Sequence, residues 1–298
     1  MKKLMTIALM FPVLVSQAQI LNVASVERLN VARDDDQVNL AVAISPSGDY
    51  LLLSTDTKQG LVKWDIESAQ ASILTTEPIS GSDVSISQDG QEVTFGQVSY
   101  QDRKRLQAVE SINMSTGKRQ TLVQPSRDNM AAEVAAASTN RAMAAPAHMN
   151  DALASDCPVL THHHLKLYIT RNGETKLFAP NGEDKHYIWS SLSPDGTKVL
   201  YYVSGWGAFV CDLDGNQPVS MGNITAPKWW DDNTIVGMNE EDDEYTVISS
   251  SIVARTLDGT EQTLTGDDVI ATYPLPCQQS GKIAFSTPNG DIYLIHVE

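Results

Sequence analysis

Positive charge is scarce in this sequence. Only 21 Lys and Arg stand against 37 Asp and Glu among 298 residues, a formal net charge of −16. Non-specific nucleic-acid binding draws its affinity mainly from Lys and Arg neutralising phosphates, so no nucleic-acid partner is expected. Cysteine is as sparse: Cys157, Cys211 and Cys277 lie far apart without a C-x-x-C. That excludes a zinc ribbon, a thioredoxin-like site and a dense disulfide framework, and leaves room for at most one bridge. Aromatic residues make up only 6%, yet 42% of the chain is hydrophobic, which is enough for a full core and too apolar for intrinsic disorder. No G-x-S-x-G elbow, P-loop, H-E-x-x-H or EF-hand loop is present. Gly205-Trp206-Gly207 starts like a dinucleotide fingerprint but lacks the third glycine and the helix, and reads as a turn.

One long apolar run exists, at the extreme N-terminus. Lys2 and Lys3, an apolar stretch over residues 4–15 and Ser16-Gln17-Ala18 form the three parts of a secretory signal, with cleavage expected after Ala18. The stretch is shorter than the roughly 18 to 20 residues that span a bilayer, and no later run is long enough. Residues 1–18 are therefore read as a signal peptide and residues 19–298 as a single exported domain, periplasmic or extracellular, with no transmembrane segment.

That domain repeats itself. Residues 42–54, 84–96 and 191–203 each read strand, tight turn, strand, with the turns Ser45-Pro46-Ser47-Gly48, Ser87-Gln88-Asp89-Gly90 and Ser193-Pro194-Asp195-Gly196. Pro presets φ, Ser or Asp hydrogen-bonds nearby backbone, and Gly accepts the positive φ that reverses the chain. Weaker copies occupy residues 229–237 and 277–286, and a degenerate one residues 137–145. The first turn residues, Ser45, Ser87, Ser138, Ser193, Trp230 and Gln278, are spaced by 42, 51, 55, 37 and 48. This is the period of a four-stranded propeller blade. An alanine-rich stretch over residues 131–147 could instead be helical. Only two strands fit after Gln278, so the last blade lacks its outer strand, and residues 25–31 are placed to supply it. The fold expected is all-β: a six-bladed β-propeller of four-stranded blades, its ring closed by an N-terminal strand.

These turns, with Val210-Cys211-Asp212-Leu213-Asp214-Gly215 in a later strand and turn, resemble the WD40-like (PD40) repeats of the TolB-type propellers, which also occur in prolyl oligopeptidase-family enzymes. The resemblance covers most of residues 40–298 and implies the propeller fold. It does not carry TolB's role, because the roughly 20 residues before the first blade leave no room for TolB's separate α/β domain.

In such a ring, loops joining second to third strands and loops joining successive blades share one face. That face collects Asp34, Asp35, Asp36, Asp56, Tyr100, Asp128, Glu183, Asp184, His186, Trp206, Glu240, Glu241, Asp242, Asp243, Glu244, Asp267 and Asp268. Among them Tyr100, His186, Trp206, Glu240, Asp242 and Glu244 are the candidate binding residues: aromatics anchor interfaces, and carboxylates attract a cationic partner or a divalent metal ion. Acidic loops also serve simply to keep an exported protein soluble. His162 and His164 fall on one strand face, a spacing from which two imidazoles could share a metal, or they are polar rings at a strand end. Oligogalacturonate lyases, which resemble this fold class, use metal-binding histidines, but their ligands do not map onto positions here. No cofactor is expected. The leading expectation is an exported, monomeric, non-catalytic propeller that binds a protein, peptide or glycan through this face. The alternative is a small hydrolase or lyase with carboxylates or histidines at the mouth of the central channel.

Overall fold

The computed structural model describes residues 19–32, 38–127, 133–134, 137, 158–243 and 246–298. The expected leader, the Ser138 turn and the alanine-rich stretch lie largely outside them. The described strands form six antiparallel sheets, the blades of a six-bladed β-propeller. The first strand of the chain, β1 (Val23–Arg28), waits for the last blade. Blade 1 runs β2 (Asn39–Ile44), β3 (Tyr50–Thr55), β4 (Leu61–Asp65) and β5 (Gln70–Thr75); blade 2 runs β6 (Ser85–Ile86), β7 (Glu92–Gln101), β8 (Lys104–Asn113) and β9 (Arg119–Arg127). Blade 3 contributes β10 (Val159–His163), β11 (Lys166–Arg171) and β12 (Glu174–Leu177), three strands among the described residues. Blade 4 comprises β13 (Tyr187–Leu192), β14 (Lys198–Val203), β15 (Gly207–Asp212) and β16 (Val219–Ser220). Blade 5 comprises β17 (Thr225–Trp229), β18 (Thr234–Asp242), β19 (Val247–Thr256) and β20 (Glu261–Thr263). Blade 6 is β21 (Thr272–Cys277), β22 (Lys282–Ser286), β23 (Ile292–Val297) and, on its outer edge, β1.

Strand β1 pairs antiparallel with β23, Val23 opposite Val297 and Arg28 opposite Tyr293. Side chains reinforce the ladder: Arg28 Nη2 reaches Asp291 Oδ1 at 2.7 Å and His296 Nε2 lies 2.8 Å from Glu27 Oε1. Just upstream, Gln262 on β20 accepts from the Ile20 and Leu21 amides at 2.6 and 2.8 Å and donates to Leu21 O at 2.9 Å. The N-terminal segment is thus fixed to blade 5 before it completes blade 6.

The core is divided among the clefts between blades. Among the described residues, Leu52, Ile86, Val93 and Phe95 fill the cleft between blades 1 and 2, and Leu167, Tyr187, Val199 and Tyr201 that between blades 3 and 4. Leu200, Ile224, Ile235 and Val253 fill the next cleft, Trp230, Val236, Ile283 and Phe285 the one after it, and Leu51, Leu53, Ala284 and Leu294 join blade 6 to blade 1. Trp229 ends the inner strand β17 and Trp230, the turn marker of this blade, follows it and packs between blades 5 and 6; the Asp231–Asn233 turn carries no Ser-x-Asp-Gly signature.

The repeated turn is a buried hydroxyl clamp. Ser193 is fully buried. Its Oγ donates to Asp195 Oδ1 at 2.5 Å and accepts from the Lys198 amide at 3.0 Å, while Asp195 also accepts from the Thr197 amide at 3.0 Å. Ser87 repeats this with Asp89 and the Glu92 amide, and Ser45 with Asp49 and the Tyr50 amide. Gly196 closes the turn at φ 71°, where a side chain would be strained. Partial burial works against the charge of Asp195, but the Ser193 and Thr197 hydrogen bonds, helped by Lys198, win and hold its carboxyl at about 2. A depressed carboxylate stabilises the fold above its unfolded value and loses that contribution as pH falls through the folded one. Asp195→Asn should therefore lower stability at pH 6, and its deficit relative to wild type should shrink between about pH 4 and pH 2. Urea denaturation across that range checks this; a deficit independent of pH would contradict it.

Candidate binding face and central channel

Trp206 sits at the tip of the β14–β15 turn. Its amide donates to Val203 O at 2.9 Å, and the flanking Gly205 and Gly207 have φ of 75° and 106°. A Cβ at Gly207 would lie 2.4 Å from Gly222 O, so only glycine lets the turn close here. The ring is 59% exposed, with Lys185 Nζ 4.4 Å above its centroid, a cation–π contact. Lys185 and His186 belong to the loop entering β13, and His186 O accepts from the Ser204 amide at 3.0 Å. That loop is pinned from below. Tyr187 Oη donates to Gly182 O, Tyr201 Oη donates to Asn181 Oδ1 at 2.7 Å, and Lys166 Nζ donates to the Glu183 and Lys185 carbonyls. His186 and Trp206 are therefore neighbours on a rigid support, and His186 is exposed.

The remaining candidates distribute differently. Tyr100, 75% exposed, stands near the tip of the long β7–β8 hairpin. Glu240 lies on β18 opposite Ser250 and lines the channel at the ring centre rather than the outer rim. Asp242 ends β18. Glu244, Asp34, Asp35, Asp36 and Asp128 lie outside the described residues. The period of two that placed His162 and His164 on one face stops at His163. His164 and Leu165 are the two residues of a tight turn with φ of 51° and 60°, and the His164 ring lies 4.1 Å from that of His163. His163 Nδ1 is 2.9 Å from Glu133 Oε2. Burial pushes the pKa of His162 down, favouring its neutral form. Among the described residues, no group of three or more His, Cys, Asp or Glu is placed to hold a metal ion. Cys211 and Cys277 are both free thiols, and burial raises that of Cys211 to about 12, which makes it inert.

The sequence anticipated a central channel; what it missed is the lining of that channel, a cavity of about 690 Å³. Its walls are the inner strands, and those strands share a device. Asp83, Trp189, Ala226 and Tyr273 each lie two residues before the equivalent inner-strand positions Ser85, Ser191, Lys228 and Leu275, and have φ of 53°, 49°, 46° and 52°. Three of these sit in β-bulges, where the register shifts between Ile188 and Ser191, Thr225 and Lys228, and Thr272 and Leu275. All four line the cavity. Bulges re-aim side chains, and non-glycine residues held in the left-handed region cost of order 1–3 kcal/mol each. Asp83 is open to channel water yet enclosed by the ring; loss of bulk solvent raises its carboxyl pKa, an effect that Lys58 opposes. Burial in turn lowers the ammonium pKa of Lys58, against the pull of Asp83 and Asp56.

No family model and no curated protein matches this sequence. Solved structures do match the fold, and the class they share is the β-propeller. The chain is similar to a putative TolB from Agrobacterium tumefaciens at 13% identity and a TM-score of 0.54, over 88% of this chain and 91% of that one. It is similar to tricorn protease at 12% identity and a TM-score of 0.51, covering 88% of this chain and about a quarter, 26%, of the protease. A manganese complex of oligogalacturonate lyase follows at 13% identity and a TM-score of 0.49, over 86% and 76% of the two chains. Identities this low speak for the fold alone.

The bulge strain has a direct test. Ala226→Gly and Ala254→Gly each delete one buried methyl, but Ala254 lies in the regular strand β19. Ala254→Gly should cost about 1–2 kcal/mol. Ala226→Gly should stay within about 0.5 kcal/mol of wild type, because relief of strain offsets the lost methyl. Equal losses in chemical denaturation would mean that the bulge carries no strain.

Proposed function

We propose that this protein is an exported binding propeller that takes a protein, peptide or glycan partner on the face bearing Trp206, His186 and Tyr100. The observation that carries this reading is Trp206: a large ring exposed at the tip of a turn that only glycines permit, capped by Lys185 and backed by a loop that hydrogen bonds from Lys166, Tyr187 and Tyr201 hold in place. Exposed aromatics on a rigid base are the usual anchors of interfaces, since little conformational freedom is lost on binding. The propeller fold supports a platform of this kind, and the acidic loops around it favour a partner with some positive charge. Among the described residues no helix is long and apolar enough to cross a membrane. The chain acts as a monomer in this reading.

A hydrolase or lyase reading draws on one observation, the raised carboxyl pKa of Asp83 at the channel wall beside Lys58. Such a carboxyl could carry a proton in acid–base chemistry. The two readings place function at different residues. Under the binding reading, Trp206→Ala should weaken capture of the native partner at least tenfold, as expected of an anchor residue, and change stability by less than about 0.5 kcal/mol. Parallel pull-downs from the cell envelope with wild-type and variant protein measure this. Unchanged capture, or a large fall in thermal stability, would show that Trp206 only packs.

A further inference from the structure

The bulges bring one side chain into the channel that nothing in the wall answers. Ala43, Ser85, Ser191, Lys228 and Leu275 occupy equivalent places on their inner strands, opposite Leu52, Thr94, Leu200, Val236 and Ala284 of the neighbouring strands. Four of the five are uncharged, and the fifth is a lysine. Lys228 lines the cavity and is exposed to channel water, and the surrounding channel walls lower its pKa. Among the described residues its ammonium has no hydrogen-bond or ion-pair partner, and no neighbouring carboxylate offsets the loss of bulk solvent that lowers its pKa. Lys58 differs, because Asp56 and Asp83 stand beside it. An ammonium on a cavity wall with no protein partner is free to pair with an incoming anion.

We propose that the central channel is a binding site for an apolar monocarboxylate, whose carboxylate pairs with Lys228 Nζ while its body lies against Val42, Trp189, Tyr273 and Leu275. The cavity, about 690 Å³, is of the size that encloses small ligands. A single point charge matches a monoanion, whereas a dianionic phosphate would need further donors. Asp83, Asp56 and Glu240 on the same walls also disfavour a second negative charge. The carboxylate could belong to a free acid or to the C-terminus of an apolar peptide. This site stands apart from the Trp206 face and holds or fails independently of it.

The test is calorimetric titration of the full chain at pH 7 with hexanoate, with hexanamide, and with N-acetyl-Leu-Leu as acid and as amide. Each acid should bind at one site at least tenfold more tightly than its amide. The tighter of the two acids then identifies the source, free acid or peptide terminus. Lys228→Met should abolish the preference for acids, Lys228→Arg should keep it, and Trp206→Ala should leave it unchanged. Thermal melting of Lys228→Met should show no loss of stability, because the side chain makes no hydrogen bond or ion pair among the described residues. If that variant melts early, the comparison of Lys228→Arg with wild type still decides. Equal binding of acids and amides to wild type, no binding of either acid up to about 10 mM, or an acid preference that survives in Lys228→Met would overturn the proposal.

Discussion

The pairing of β1 with β23 is the contact on which the rest of this structure depends. A ring of sheets has no free edges inside it, but a linear chain must join its two ends somewhere, and an open last blade would expose unpaired backbone. Here the chain's first strand becomes the outer edge of its last blade. Gln262 fixes the approach of that strand from blade 5, and Glu27, Arg28 and Asp291 fasten its length. Because the core lies in the clefts between blades, losing the seal at one cleft loosens the blades on both sides of it. The channel geometry inherits this. Its wall is made of inner strands from separate blades, so their spacing is fixed only while the ring stays closed.

Closure also explains how strained residues persist at the centre. Asp83, Trp189, Ala226 and Tyr273 hold left-handed backbone, and an isolated hairpin would relax such residues. In the ring each lies on or just before an inner strand that pairs with its own second strand and lines the channel. Rigidity at the outer face has a similar origin. The turn of Trp206 closes against Gly222, and the loop of His186 rests on the Tyr187, Tyr201 and Asn181 hydrogen bonds inside the cleft between blades 3 and 4. The candidate side chains on both surfaces are thus positioned by packing between blades.

The fold was legible because its signals are local. The Ser-x-Asp-Gly turns at Ser87 and Ser193 write their hydrogen bonds into six consecutive residues, and the count of only two strands after Gln278 pointed to the N-terminal segment. Trp206 was legible for the same reason, lying between two glycines. The lining of the channel was not legible, since the left-handed residues of its inner walls are Asp, Trp, Ala and Tyr, with no glycine to announce positive φ. His164 misled for a related reason: a two-residue turn of His and Leu looks like continued strand. Lys228 did leave a signal, a lone charge inside an inner strand where the equivalent places are uncharged. It becomes visible only when the weak fifth repeat is aligned through its bulge, a shift that spacing by turn markers conceals.

Ring closure can be measured directly by comparing the thermal unfolding of residues 19–298 with that of residues 29–298, which lack β1. The account predicts a midpoint lowered by about 5 °C or more, with faster hydrogen exchange concentrated in β23 and in the clefts on either side of blade 6. Equal midpoints and unchanged exchange in β23 would contradict it.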